Sequence, residues 1–113
     1  MEQQFTVLEE VFLISDDKAL LDIQAIHRYL NEESYWSKGI PLDTLINAID
    51  NSLCFGVYSN NQTIGFARII SDFATFAYLC DDNVLKEYRC KGISNQLMAF
   101  IMQHPSLNGL RRW

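Results

Sequence analysis

The sequence has little of what marks a secreted, membrane-bound or nucleic-acid-binding protein. Its three cysteines, Cys54, Cys80 and Cys90, form an odd number with no paired spacing. That argues against a disulfide framework and predicts reduced thiols in a cytoplasmic protein. No apolar run approaches the roughly 20 residues a membrane span needs. Met1-Glu2-Gln3-Gln4 lacks the basic start and apolar stretch of a secretory signal, so no membrane partner is expected. No His/Cys spacing has the pattern of a metal site, and no metal is expected either. With two prolines and five glycines in 113 residues, the chain has no linker-like or low-complexity tract, and it contains no internal repeat. Lys and Arg total 9 against 14 Asp and Glu, a net charge of −5. A chain of that sign is a poor general nucleic-acid binder, because counterion release needs a basic surface.

What is present fits one globular domain over residues 1–113. The hydrophobic fraction is 49% and the charged fraction 20%, enough apolar material for a core and too short a chain for two ordinary domains. The charge is uneven. Residues 1–85 hold four Lys/Arg against thirteen Asp/Glu, a net −9, whereas residues 86–113 hold five Lys/Arg and only Glu87, a net +4. That is either ordinary surface scatter or a basic end suited to a small anion such as a phosphorylated cofactor.

Periodicity supplies the element order. Residues 11–15 read as a strand, after which Ser15, Asp16 and Asp17 offer helix caps. A helix is predicted from about Lys18 to Leu30, with Leu20, Ile23, His27 and Leu30 on one stripe. Pro41 suits the first turn of a second helix, whose Leu42, Leu45, Ile46 and Ile49 share a face. The period then drops to two. Ser52–Ser59 is a strand, Asn60-Asn61-Gln62 a turn, and Thr63–Ser71 its hairpin partner. Thr75–Cys80 is a third strand of that meander, closed by Asp81 and Asp82. A last helix runs from Lys91 to about Gln103, with Ile93, Leu97, Phe100 and Ile101 on its apolar face, and Pro105 ends it. Leu110–Trp113 could begin another strand. The order β-α-α-β-β-β-α argues an α+β domain, sandwich-like, with a mainly antiparallel sheet.

The segment carrying chemistry is Arg89-Cys90-Lys91-Gly92-Ile93-Ser94-Asn95, between a strand and an amphipathic helix. Helix N-termini expose free backbone N–H groups and a partial positive charge, which together suit a phosphate. Gly92 permits close approach of backbone to an anion. Ser94 is small and adds a hydroxyl donor, and Arg89 and Lys91 add charge at the rim. The spacing is neither that of a P-loop nor that of a dinucleotide fingerprint.

With its preceding strand, Arg89-x-x-Gly92-x-Ser94 resembles the Arg/Gln-x-x-Gly-x-Gly/Ala signature of the GCN5-related N-acetyltransferases (GNAT). The run Val84–Arg89 resembles the family's approach to that loop, and the element order matches the family's N-terminal portion, so the likeness spans about residues 11–113. The resemblance implies an acetyl-CoA-dependent N-acetyltransferase acting on an amine acceptor it does not identify. Main-chain groups of Asp82, Asn83 and Val84 would pair with the pantetheine arm like an added strand. The amides of Cys90, Lys91, Gly92, Ile93, Ser94 and Asn95 would hold the pyrophosphate. The amine would attack the thioester directly, with a carboxylate or a water chain taking its proton, and Asp81, at the end of strand 75–80, is the candidate base. Tyr35 and Trp36 lie in the loop that often lines the family's acceptor site; packing at a helix–helix corner is the other reading of that pair.

Several positions depart from the family pattern. Cys90 stands where a Gly is common, Ser94 replaces the last Gly or Ala, and Asp82-Asn83 replaces an apolar pair. Relative to the family the chain ends at Trp113, where a fifth strand would begin, short of the segment that usually supplies a Tyr near the sulfur. The expectation that follows is a truncated domain with one cleft wall missing and an exposed strand edge, which a homodimer could cover. A non-catalytic module that binds a partner or self-associates through that edge is the alternative function. Elsewhere, His27 reads as a satisfied core residue and His104 as a helix-end cap. Arg68 is either an outer-face residue or a cleft contact, and strand alternation favours the solvated outer face.

Overall fold

Apolar residues alternate along the central strands, and the alternation divides the sheet between two buried faces. The computed structural model describes residues 1–33 and 38–113; Tyr35 and Trp36 lie outside the described residues. Five strands lie in sequence order, each antiparallel to the next: β1 Glu2–Val7, β2 Glu10–Ser15, β3 Leu53–Ser59, β4 Gln62–Ser71 and β5 Ala77–Val84. Three α-helices accompany them: α1 Ile23–Glu33, α2 Leu42–Asp50 and α3 Ile93–Met102. On one face Phe55, Val57, Ala67 and Ile69 pack with Ile93, Leu97, Phe100 and Ile101 of α3. On the other, Cys54 and Phe66 pack with Ile26 and Leu30 of α1 and Leu45 and Ile49 of α2. The domain is α+β, with a sheet between two helical layers.

The sequence reading misses β1. Its hairpin to β2 turns on Leu8 and Glu9, at φ 48° and 69°. A two-residue turn of this kind normally advertises itself by Asn-Gly or Asp-Gly; Leu-Glu gives no such signal, and the strand is mostly polar. The turn at Asn60-Asn61 does carry that chemistry, with φ 51° and 65°, and it lies where the sequence places it.

The first helix begins later than Lys18. Asp17 caps a short 3₁₀ turn at Lys18–Leu20 by accepting from the Ala19 amide at 3.0 Å. Leu21 is extended, and the Asp22 carboxylate then accepts from the Ala25 amide at 3.1 Å to open α1. Leu20 is therefore exposed rather than on a buried stripe. His27 is half-buried with Nε2 2.7 Å from the Ile40 carbonyl oxygen, a satisfied residue as expected. In α2, Leu45 and Ile49 are buried while Ile46 is exposed.

The last strand also shifts. β5 runs from Ala77 to Val84, so Asp81 and Asp82 lie inside it and do not close it. α3 begins at Ile93 with Gly92 as its N-cap, two residues later than expected. His104 caps a 3₁₀ turn at Pro105–Leu107, its Nδ1 accepting from the Ser106 amide at 3.1 Å. Arg112 makes an isolated parallel bridge to Phe76 beside the start of β5. Among the described residues, no helix is long and apolar enough to cross a membrane.

Candidate functional site

The loop between β5 and α3 is shaped by two left-handed residues. Cys90 has φ 65° and Gly92 φ 80°. Glycine adopts that conformation freely, whereas a residue with a Cβ, such as Cys90, pays a steric penalty. A Cβ built at Gly92 would meet no atom within 4 Å, so the backbone there is open to an approaching group. No side chain caps α3. The Arg89 amide bonds the Lys86 carbonyl and the Gln96 amide bonds that of Gly92. Between them, the amides of Cys90 through Asn95 find no protein acceptor among the described residues. Unpaired donors at a helix start, on an exposed turn, are what an anion such as phosphate requires.

The two rim cations are placed differently. Lys91 Nζ lies over the Tyr88 ring, 5.4 Å from its centroid, and Tyr88 packs edge-on to Phe12 at 5.9 Å. The Arg89 guanidinium turns back on the protein. Its Nε donates to the Val84 carbonyl at 3.0 Å and its Nη2 to the Tyr29 hydroxyl at 2.6 Å. One carbonyl of the 82–84 segment expected to face the pantetheine arm thus already receives an arginine.

β5 carries the acidic residues on alternating sides. Asp81 lies opposite Arg68 in the ladder, and Asp82 opposite Ala67. The register shifts beside the Arg68–Asp81 pair, leaving Cys80 as the extra residue of a bulge. Arg68 Nε donates to Asp81 Oδ2 at 2.9 Å, and its Nη1 donates to Ser52 Oγ at 3.1 Å. Both side chains of the pair are largely shielded. Arg68 is therefore not the solvated outer-face residue that alternation favours; that face is covered by α2, and the charge is tolerated because Asp81 neutralises it. Asp82 is exposed at the surface. The surrounding protein still pushes its carboxyl above the ordinary aspartate value, and a hydrogen bond from Ser94 opposes that rise.

Beside this loop, between α1 and the paired ends of β4 and β5, lies a cleft of about 340 Å³. Asp22, Arg28 and Tyr29 of the α1 side and Gly65, Asn83 and Leu85 of the strand side line it. Sequence reasoning did not single out Asp22, Arg28 or Tyr29. Asp22 caps α1 and Arg28 and Tyr29 sit on it, without a motif around them, and only the packing of that helix over β4 reveals them. Among the described residues no group of three His, Cys, Asp or Glu side chains is placed to hold a metal.

A family model for the GNAT acetyltransferases matches residues 23–113. The chain belongs to the GNAT acetyltransferase family. A curated relative from Gibberella zeae, described as a candidate acetyltransferase, is 32% identical; the match covers 80% of this chain and 62% of the relative. The chain thus spans less than two thirds of that protein's length. A crystal structure of a candidate GNAT acetyltransferase from Xanthomonas campestris pv. campestris is 51% identical, with a TM-score of 0.87 over 89% of this chain and 71% of that one. The PaiA N-acetyltransferase of Thermoplasma acidophilum, solved with coenzyme A, shares the fold at a TM-score of 0.62 and 20% identity over 80% of this chain and 69% of its own. The GNAT fold accounts for the antiparallel sheet.

Proposed function

We propose that this GNAT domain binds acetyl-CoA and serves an N-acetyltransferase. The observation that carries this reading is the turn at 90–95, where unpaired amides crown a ten-residue helix. It suits a pyrophosphate by charge and by hydrogen-bond direction. The segment 82–84 lies along the same edge of β5 for the pantetheine arm. The acceptor amine would enter through the cleft between α1 and β4, with Tyr35 and Trp36 as further candidates from the sequence.

In the reaction so proposed, the amine nitrogen forms a bond to the thioester carbonyl carbon and the carbon–sulfur bond breaks. The amine gives up a proton, and the thiolate gains one as it leaves. Asp81 is the base suggested by position, but its carboxylate is held by Arg68, and it can accept a proton only if that pair loosens. Asp82 carries no such partner cation among the described residues and holds a proton more readily than an ordinary aspartate. The pH profiles of Asp81→Asn and Asp82→Asn separate the two: the variant that abolishes the acidic limb, where activity falls as the base becomes protonated, identifies the base.

Calorimetric titration with acetyl-CoA tests the binding reading, alongside Gly92→Glu, which puts a negative side chain into the turn. Micromolar binding that the variant loses is the expected result. No binding by the unchanged chain would refute the reading.

A second reading, self-association along the β5 edge, draws on the exposure of Ile70, Phe76, Tyr78 and Trp113 beside that strand. Light scattering decides it, since a strict monomer at high concentration would rule it out.

A further inference from the structure

α1 and α3 lie on opposite faces of the sheet, yet one hydrogen bond joins the α1 layer to the loop that opens α3. Arg89 Nη2 donates to the Tyr29 hydroxyl at 2.6 Å, across 60 positions of sequence. The same guanidinium donates through Nε to the Val84 carbonyl at 3.0 Å. An arginine side chain free in solvent samples many rotamers; one held at two of its nitrogens, by a strand end and by a helix, is a strut. It stands directly before the left-handed residues Cys90 and Gly92, so its position sets where the unpaired amides point. Tyr29 also lines the cleft between α1 and β4. By accepting from Arg89 it keeps its own O–H proton to donate elsewhere.

We propose that Tyr29 is a positioning residue for the coenzyme loop: its hydroxyl holds Arg89, and Arg89 holds the phosphate-binding turn in register with the α1–β4 cleft. The inference rests on the coenzyme reading above. Tyr29 touches no phosphate in this scheme and acts through Arg89. Phosphate affinity therefore depends on a hydroxyl that lies on the acceptor side of the domain, and the two sites share one mechanical link.

The test is a double-mutant cycle on the full chain, with coenzyme A titrated calorimetrically into wild type, Tyr29→Phe, Arg89→Lys and the double variant. Phenylalanine keeps the ring and removes the hydroxyl that accepts from Arg89. Tyr29→Phe is expected to weaken coenzyme A binding about tenfold, the scale of one charge-assisted hydrogen bond. It should weaken binding no further in the Arg89→Lys background, and the melting temperature should stay nearly unchanged. An equal loss in both backgrounds, or no loss, overturns the proposal. If wild type binds no coenzyme A, it is the coenzyme reading that fails. The strut is then judged in the free protein by nitrogen-15 spectra. Loss of a protected Arg89 Nε–H and shifts of the 90–95 amides in Tyr29→Phe support it; unchanged loop amides overturn it.

Discussion

Arg68 and Asp81 face each other across the β4–β5 ladder, with Nε 2.9 Å from Oδ2. The link continues. Arg68 also donates to Ser52 Oγ, and Ser52 donates to the Ala48 carbonyl at the end of α2 at 2.6 Å. One arginine thus ties a strand near the sheet's edge to a helix. The pair lies where an all-apolar contact would be expected, and it is viable only because each charge has its partner. Removing one partner should cost more than the pair is worth. Asp81→Asn is expected to lower stability by roughly 2 kcal/mol, because Arg68 is left half-buried without a counter-charge. Urea denaturation measures it, and Arg68→Met combined with Asp81→Asn should recover part of the loss. A neutral single variant would mean that water already screens the pair.

Gly92 sits at φ 80° with open space around it. Alanine there should cost about 1 kcal/mol through backbone strain alone, with no steric clash to add. Chemical denaturation checks the stability. If Gly92→Ala keeps coenzyme affinity while Gly92→Glu loses it, the loss is due to the charged side chain in the turn and not to the altered backbone.

The three free thiols differ in exposure: Cys90 is exposed, Cys80 half-buried and Cys54 buried. Burial also pushes the Cys54 thiol up to about 11. Alkylation of the folded chain should therefore modify Cys90 first and Cys80 later, and spare Cys54 until unfolding. Mass spectrometry of timed samples reads the order. Coenzyme A should slow modification of Cys90 selectively, since that residue lies in the proposed phosphate turn. Equal rates with and without coenzyme A would count against the site.

Asp16 joins the two ends of the domain. Its Oδ1 accepts from the Met1 ammonium at 2.8 Å and its Oδ2 lies 2.7 Å from His104 Nε2. The His104 Nδ1 accepts from the Ser106 amide, so Nε2 carries the proton and donates to Asp16. Burial raises the Asp16 pKa, and the hydrogen bonds from Met1 and His104 together outweigh it, so the net shift is downward. A depressed carboxylate stabilises the fold above its unfolded value, about 3.9, and that stabilisation is lost as pH falls through the lower folded value. Acid should therefore weaken the native state below about pH 4. Asp16→Asn should reduce stability at neutral pH and flatten the acid limb of a denaturation series. An unchanged acid limb would show that other carboxylates set it.

Much of the domain was legible one segment at a time. The apolar stripe Ile93, Leu97, Phe100 and Ile101 is fully buried in α3, because a helix of that period has only one way to hide those side chains. The β3–β4 hairpin followed from two alternating runs around Asn60-Asn61. Arg89-x-x-Gly92-x-Ser94 marked the loop because left-handed backbone and a helix start leave a local composition behind. Where local chemistry was silent, the reading failed: Leu8-Glu9 turns a hairpin without turn residues, and β1 went unseen.

The remaining features depend on contacts between distant segments. Asp81 and Asp82 look like two equivalent acids ending a strand. Pairing with Arg68 on one side of the ladder and placement near Ser94 on the other made them different groups, because strand alternation sends neighbours to opposite faces. Arg89 was legible as a cation beside the proposed phosphate loop, but its hold on Tyr29 was not, since no periodicity links residues 60 apart. Secondary structure and the family motif are short-range properties of the chain. Which charges are neutralised, and which side chains share the site, depends on long-range packing that closes only when the sheet and both helical layers have assembled.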